Sequence, residues 1–297
     1  MRIRVIGAPM DLGADRRGVD IGASAIRYAG LNDQLRGLGH TVHDIGNIVV
    51  PQPESQPIGD SHVKYLEPIV QVSELLANAV TEALQAGDFP LILGGDHSIA
   101  LGSITGVARV HHDTGVIWVD AHGDFNTPET TPSGNIHGMV LSALVGLGHP
   151  QLTGVGGWTR KINPETIVIV GARDLDPEEQ VLLREHKVHV FTMTDIDRRG
   201  MSEIMQEAVM LAGKARDGIH LSLDMDSLDP TEAPGVGTPV RGGLTYREAH
   251  LALELIAASG LLVSMDAVEV NPILDRENAT AHLAVELILS ALGKKIF

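Results

Sequence analysis

Eight short runs of β-branched and aliphatic residues, separated by stretches of helical periodicity, limit what this chain can fold into more than any other feature. The runs are Arg2–Ile6, Thr41–Ile45, Leu91–Leu93, Val116–Val119, Thr166–Val170, Val188–Phe191, Ile219–Leu223 and Leu262–Val270. Strands that alternate with helices pair in parallel and need helices on both faces. The sequence therefore predicts an α/β fold of three layers, a mostly parallel sheet of about eight strands flanked by helices. The clearest helix spans about Val63 to Ala86, with Leu66, Val70, Ser73, Ala77, Val80 and Leu84 on one stripe and Gly87 as its stop. Another begins at Thr245, where Thr245-Tyr246-Arg247-Glu248 forms a capping box. Pro51–Ile58 is polar and proline-rich but has the length of a loop, and no repeat or low-complexity linker interrupts the chain. Residues 1–297 are expected to form one domain.

In such a sheet the ligand site lies beyond the carboxyl ends of the strands. Three strand ends carry metal-binding side chains: Gly94-Gly95-Asp96-His97-Ser98, Asp120-Ala121-His122-Gly123-Asp124-Phe125-Asn126 and Asp224-Met225-Asp226. A strand period of two would aim Asp120, His122 and Asp124 the same way. Carboxylates gathered at one point raise each other's pKa and repel unless they hold a cation. His97, Asp120, His122, Asp124, Asp224 and Asp226 are thus the candidate ligands, two imidazoles and four carboxylates. That exceeds the needs of one tetrahedral ion, whereas two ions about 3.5–4 Å apart use the whole set. Oxygen-rich ligation without thiolate favours a hard or borderline ion such as Mn²⁺ over structural Zn²⁺. Asp96 reads instead as a helix N-cap, and Asp229, before Pro230, as a turn residue. Of the 14 histidines, His111, His112, His149, His186 and His250 read as surface or loop residues.

Composition excludes several functions. A formal charge of −16 argues against nucleic acid and anionic membrane as partners. The absence of cysteine excludes disulfides, thiolate catalysis and Cys-ligated zinc, and fits a reducing compartment. Met1–Gly7 is too short and too charged for a signal peptide, and the apolar region Ala279–Leu292 is broken by His282 and Glu286. A soluble, cytoplasmic protein is expected.

The chain resembles the arginases, ureohydrolases with a binuclear manganese centre. The motifs that carry the resemblance are Gly94-Gly95-Asp96-His97-Ser98, Asp120-Ala121-His122-Gly123-Asp124-Phe125-Asn126-Thr127-Pro128, Ser133-Gly134-Asn135-Ile136-His137-Gly138, Ser222–Pro230, Gly237-Thr238-Pro239 and Val268-Glu269-Val270-Asn271-Pro272. Pro9–Gly13 and Arg17–Asp20 extend it to nearly the whole chain.

The resemblance implies two Mn²⁺ per subunit, one on His97, Asp120, Asp124 and Asp224, the other on Asp120, His122, Asp224 and Asp226. It implies hydrolysis of L-arginine to L-ornithine and urea by a hydroxide held between the ions. Asp124 would transfer a proton, His137 would shuttle protons to solvent, and Glu269 would face the guanidinium. Asn126, Ser133 and Asn135 would bind the α-carboxylate and Asp176 the α-ammonium. Thr238 would sit by the guanidinium pocket, with His122 also among the substrate contacts. Arg247 and Glu248 match positions of intersubunit ion pairs, implying a homo-oligomer, trimer or hexamer. Two departures stand out: Gly22-Ala23 replaces the usual Gly-Pro, and no long tail follows Phe297, so no tail-mediated contact is expected. An agmatinase or another guanidino-compound ureohydrolase is the nearest rival; agmatine lacks the α-carboxylate, so the Ser133-Gly134-Asn135 loop argues against the former. A one-zinc deacetylase on a related fold is opposed by His97 and Asp226. A non-catalytic metal-binding protein would have lost a ligand or the His137/Glu269 pair, and all are present.

Overall fold

The computed structural model describes residues 1–296. Each expected run is a strand: β1 (Arg2–Ala8), β2 (Thr41–Asn47), β3 (Phe89–Gly94), β4 (Gly115–Val119), β5 (Ile167–Ala172), β6 (His189–Thr192), β7 (Ile219–Asp224) and β8 (Leu262–Val268). The helices are α1 (Gly22–Tyr28), α2 (Leu31–Gly37), α3 (Leu66–Gln85), α4 (Ala100–Ala108), α5 (Val140–Val145), α6 (Pro150–Thr153), α7 (Pro177–Glu185), α8 (Met193–Arg199), α9 (Met201–Ala212), α10 (Tyr246–Ser259) and α11 (Ala279–Ala291). The strands form one eight-stranded sheet in the order β2-β1-β3-β8-β7-β4-β5-β6. Every neighbouring pair is parallel.

Period-two alternation sends side chains to two cores. Leu91, Leu93, Ile117, Val119, Leu221 and Leu223 pack with α1, α2, α9, α10 and α11. Ile92, Val116, Trp118, Ile167 and Ile169 pack with α3, α4 and α5. Strands β3, β4, β5 and β7 are buried at every residue; the first three accordingly read as apolar runs, whereas β7 buries His220, Ser222 and Asp224 at alternate positions. Edge strand β2 is largely exposed. Gly95 lets the segment after β1 cross the end of β3, because a Cβ there would overlap the Met10 backbone. The Asp96 carboxylate fixes that crossing by accepting from Gly13 N (2.7 Å), Ala14 N (3.2 Å) and Ser98 N (3.0 Å). Asp96 is therefore an N-cap, as expected, and also the anchor of the amino-terminal loop. Asp229 is the expected turn residue, accepting from Thr231 N (3.0 Å) and Gly242 N (2.8 Å).

Several expectations shift. Helix α3 buries Ile69, Val72, Ser73, Leu76, Ala77, Val80 and Ala83, while Leu66, Val70 and Leu84 are only half-buried. The stripe is rotated because α3 packs against both α4 and the sheet rather than on one line. Strand β8 stops at Val268, since Glu269 has φ 64°, a left-handed backbone that ends pairing. His250 is not a surface residue. It lies 7% exposed within α10, bonded to Ser290 Oγ (2.8 Å) on α11, because it falls on the buried helix face beside Ala249 and Leu253. The capping box at Thr245 and Glu248 is present, and Arg247 pairs with Glu254 (3.3 Å) along the same helix.

Candidate metal centre

The carboxyl ends of β3, β4, β7 and β8, the middle of the sheet, converge on one acidic cluster. From β3 comes His97, fully buried and stacked on Trp118 with ring centroids 3.9 Å apart and planes 5° from parallel. Its Nε2 meets Ser222 Oγ at 2.7 Å. Its Nδ1 lies 3.1 Å from Asp120 Oδ2, 3.1 Å from Asp124 Oδ2 and 3.0 Å from Asp224 Oδ2. Yet that nitrogen is aligned for a hydrogen bond with none of them.

From β4 come Asp120, His122 and Asp124, but not by the route that strand periodicity suggests. Pairing ends at Val119, and residues 120–126 form a loop in which Asp124 has φ 47°. The loop is held by specific bonds instead. His122 N donates to Asp120 Oδ1 (2.7 Å), Trp118 Nε1 donates to Asp120 Oδ2 (2.9 Å), and Leu141 N donates to Asp124 O (2.9 Å). From β7 come Asp224, the last strand residue, and Asp226, in the turn that follows. Asp226 N donates to Asp224 Oδ1 (2.7 Å), and Thr238 Oγ1 donates to Asp226 Oδ2 (2.8 Å). His122 Nδ1 stands 3.3 Å from Asp120 Oδ1 and 3.2 Å from Asp226 Oδ2.

Two sets of side chains thus present ligand atoms within 4.8 Å of one another: His97, Asp120 and Asp224, and Asp120, His122 and Asp226. Asp120 belongs to both. Burial drives the Asp224 carboxyl well above its usual range, with Asp226 and Asp120 adding to it. Burial and then Asp120 push Asp124 the same way. Burial also opposes charge on His97 and His122, but the surrounding carboxylates outweigh it and raise both. Every one of these shifts has the same origin, a surplus of negative charge in a dry place. A protein interior tolerates that only around cations. The orphaned His97 Nδ1 and the two-imidazole, four-carboxylate donor set fit divalent ions.

Polar side chains continue beneath His97. Ser222 Oγ donates to Asp266 Oδ1 (2.5 Å), and Asp266 Oδ2 takes Ser103 Oγ (2.5 Å) and His220 Nε2 (3.1 Å), all of these residues wholly buried. Outer partners of this kind orient a ligating imidazole. Glu269, 1% exposed, accepts from His97 N (2.9 Å) and meets His137 Nδ1 (3.3 Å), both at Oε1, while its Oε2 has no partner among the described residues. Burial disfavours charge on His137, but Glu269 and then Asp124 and Asp96 overcome it, pushing the imidazole up to about 9.

Above the cluster opens a cavity of about 150 Å³ lined by His122, Asp124, Asn126, Ser133, His137, Asp176 and Thr238, among others. Asn126 Nδ2 donates to Asp176 Oδ2 (2.9 Å), joining two of the expected substrate contacts. Asp176 is also the N-cap of α7, in a capping box with Glu179. Asn135 does not line the cavity. Its side chain donates to Ala14 O (3.0 Å) on the amino-terminal loop.

Sequence reasoning passed over Trp118, Glu179 and Asp174. Trp118 both stacks on His97 and bonds Asp120, but one tryptophan in an apolar run signals only a core. Glu179 lines the cavity and accepts from Phe125 N (2.9 Å), and burial lifts its carboxyl to about 8. Its signal was available, as the third helical residue after Asp176-Pro177. Asp174 also lines the cavity. The polar pair His220 and Ser222, at alternate positions of a buried strand, was the sign of the network below His97.

A sequence model described as the Arginase family matches residues 1–293. The chain belongs to the arginase family. An arginase of Brevibacillus brevis is 54% identical over 98% of this chain and 98% of its own length. The native structure of the arginase of Bacillus caldovelox superposes with a TM-score of 0.97 at 51% identity, covering 100% of this chain and 99% of that one. An Entamoeba histolytica arginase solved in complex with L-ornithine gives 0.91 at 32% identity, covering 99% of each chain. The arginase-family assignment thus rests on sequence and fold over essentially the whole length.

Proposed function

We propose that this chain hydrolyses L-arginine to L-ornithine and urea, using two Mn²⁺ per subunit on His97, Asp120, His122, Asp124, Asp224 and Asp226. The observation that carries the reading is His97 Nδ1, buried, unbonded and facing three carboxylates at 3.0 to 3.1 Å. Divalent ions held there lower the pKa of a water from about 15.7 to about 7 and so supply hydroxide at neutral pH.

The remaining work falls to side chains. Water adds to the guanidinium carbon, the bond from that carbon to Nε breaks, and the products are urea and an ammonium on ornithine. Nε enters with one hydrogen and leaves as an ammonium with three, so both protons of the water must reach it. Asp124, on the cavity wall, is assigned to hold and deliver the one that frees the amine. His137, with its side chain 18% exposed and its Nδ1 on Glu269, is assigned to exchange protons with solvent. The unpartnered Oε2 of Glu269 is the acceptor assigned to the guanidinium. Asn126 and Ser133, which line the cavity, are assigned to the α-carboxylate and Asp176 to the α-ammonium, while Asn135, spent on Ala14 O, is assigned to hold the loop. Thr238 and His122 bound the guanidinium end. L-Ornithine in the Entamoeba histolytica arginase supports an amino-acid product.

The same reading takes residues 1–297 as one catalytic domain of a cytoplasmic homo-oligomer, trimer or hexamer. Among the described residues no helix is long and apolar enough to cross a membrane.

Urea release from L-arginine and from agmatine, with Mn²⁺ supplied, tests the proposal. Turnover of L-arginine in clear preference is expected. Preference for agmatine overturns the substrate, and no turnover with ions bound overturns the reaction.

A further inference from the structure

Arg173 follows β5 directly and lines a cavity of about 630 Å³ that shares Asp174 with the cavity above the cluster. A guanidinium so near an acidic cluster would be expected to pair with a carboxylate. Among the described residues it pairs with none. It bonds only to main-chain carbonyls: Gly171 O (3.2 Å), Asp226 O (2.7 Å), Ser227 O (3.0 Å), Leu228 O (3.1 Å) and Val240 O (2.8 Å). A guanidinium has five N–H groups in a rigid fork; Nη1 and Nη2 make these bonds and Nε adds one to Val240 O (3.3 Å), so all three nitrogens are engaged.

The segments gripped are specific. Residues 226–228 form the turn that carries Asp226. Val240 ends the short segment from Thr238, whose hydroxyl bonds Asp226 Oδ2 (2.8 Å). Arg173 N, meanwhile, donates to Ala121 O (2.8 Å), the carbonyl between Asp120 and His122. One residue therefore touches all the segments that furnish Asp120, His122 and Asp226, and none that furnishes His97. The slot is shaped for it, since a Cβ on Gly243 would stand 2.5 Å from the Arg173 guanidinium. Converging carbonyls repel without a cation among them, so its removal would release the turn and the Thr238 segment together.

We propose that Arg173 is a positioning residue for the ligand group of Asp120, His122 and Asp226, and leaves the group of His97, Asp120 and Asp224 largely to other supports. The inference rests on the two-ion reading above.

Calorimetric titration of Mn²⁺ into the metal-stripped full chain, as wild type, Arg173→Met and Arg173→Lys, tests it. Two binding steps are expected in the wild type. In both variants one step should weaken about 10–100-fold, as for other outer supports of a metal site, with the other step held within about threefold. Lysine keeps the charge but cannot span the carbonyls, so it should not rescue. Should Arg173→Met fail to fold, Arg173→Lys carries the test. Both steps unchanged, or both weakened equally, overturns the proposal alone. Fewer than two ions in the wild type overturns the two-ion reading and this proposal with it.

Discussion

His97, Asp120 and Asp224 lie at the ends of central strands, no more than 2% exposed, whereas Ser133 and Asn135 sit in a loop where Ser133 is open to solvent. The first group is fixed by the sheet register and by bonds from Trp118, Ser222 and Asp226. The second is fixed by short-range loop bonds, such as Asn135 N to Ser133 Oγ (3.2 Å) and Gly134 N to Thr131 Oγ1 (3.0 Å). On the proposed reading, the contrast makes ion binding and substrate choice mechanically separate. A buried floor would hold charge at fixed points, and a more exposed rim would read the rest of the ligand.

The largest effect should come from the floor. Asp224→Ala removes an acceptor beside both ligand groups, and turnover should fall by well over the ~100-fold typical of outer partners, with ion content falling in parallel. Elemental analysis that still finds two Mn²⁺ would break the comparison at its root.

Next comes His137, where floor meets rim. His137→Ala should lower kcat by about 10²–10³-fold with ion content unchanged, as loss of a proton carrier does, and added imidazole should restore part of it. The same residue has a pH signature in the metal-stripped protein. Its folded pKa of about 9 exceeds the usual 6.5, so its contribution to stability is complete below about 6.5 and is lost as pH rises through 9. In denaturant unfolding of the metal-stripped protein, the part of the decline across that window owed to His137, read as the difference between wild type and His137→Ala, should be at most roughly 3 kcal/mol. An identical slope in the variant would refute the assignment.

The smallest of these effects belongs to the rim. Asp176→Ala should raise KM for L-arginine by about 10–100-fold, the worth of one charge-assisted bond, while both ions stay bound. Unchanged KM would leave Asp176 with its capping duty alone. A loss of metal would show that rim and floor are not separate after all.

The floor was also the more legible region. Apolar runs buried on both faces announce their strands, and a residue next to a strand end has few places to go, so His97, Asp120 and Asp224 could be located from the sequence. What lay beyond the strand ends was less readable. Period-two reasoning found Asp124 for a reason that does not hold, because its loop turns at φ 47° rather than continuing the strand. The left-handed backbone at Glu269 ended β8 early, and nothing local in Glu269-Val270 signals it. Asn135 carries the chemistry of a substrate contact, yet its direction depends on Ala14, far away in the chain. His250 was misjudged because burial of one helix face is settled by the partner helix, not by the histidine.

Strand β8 is the last strand in the chain, yet it lies between β3 and β7. Without it the sheet is two separate pieces, β2-β1-β3 carrying His97 and β7-β4-β5-β6 carrying the other ligands. During synthesis the group of Asp120, His122 and Asp226 can therefore gather once β7 and the Thr238–Val240 segment after it are made, before β8. The group that includes His97 must wait for β8 to be threaded between its neighbours. That insertion is a keystone: if two ions bind as proposed, loading of the one held by His97 would report that β8 is in place.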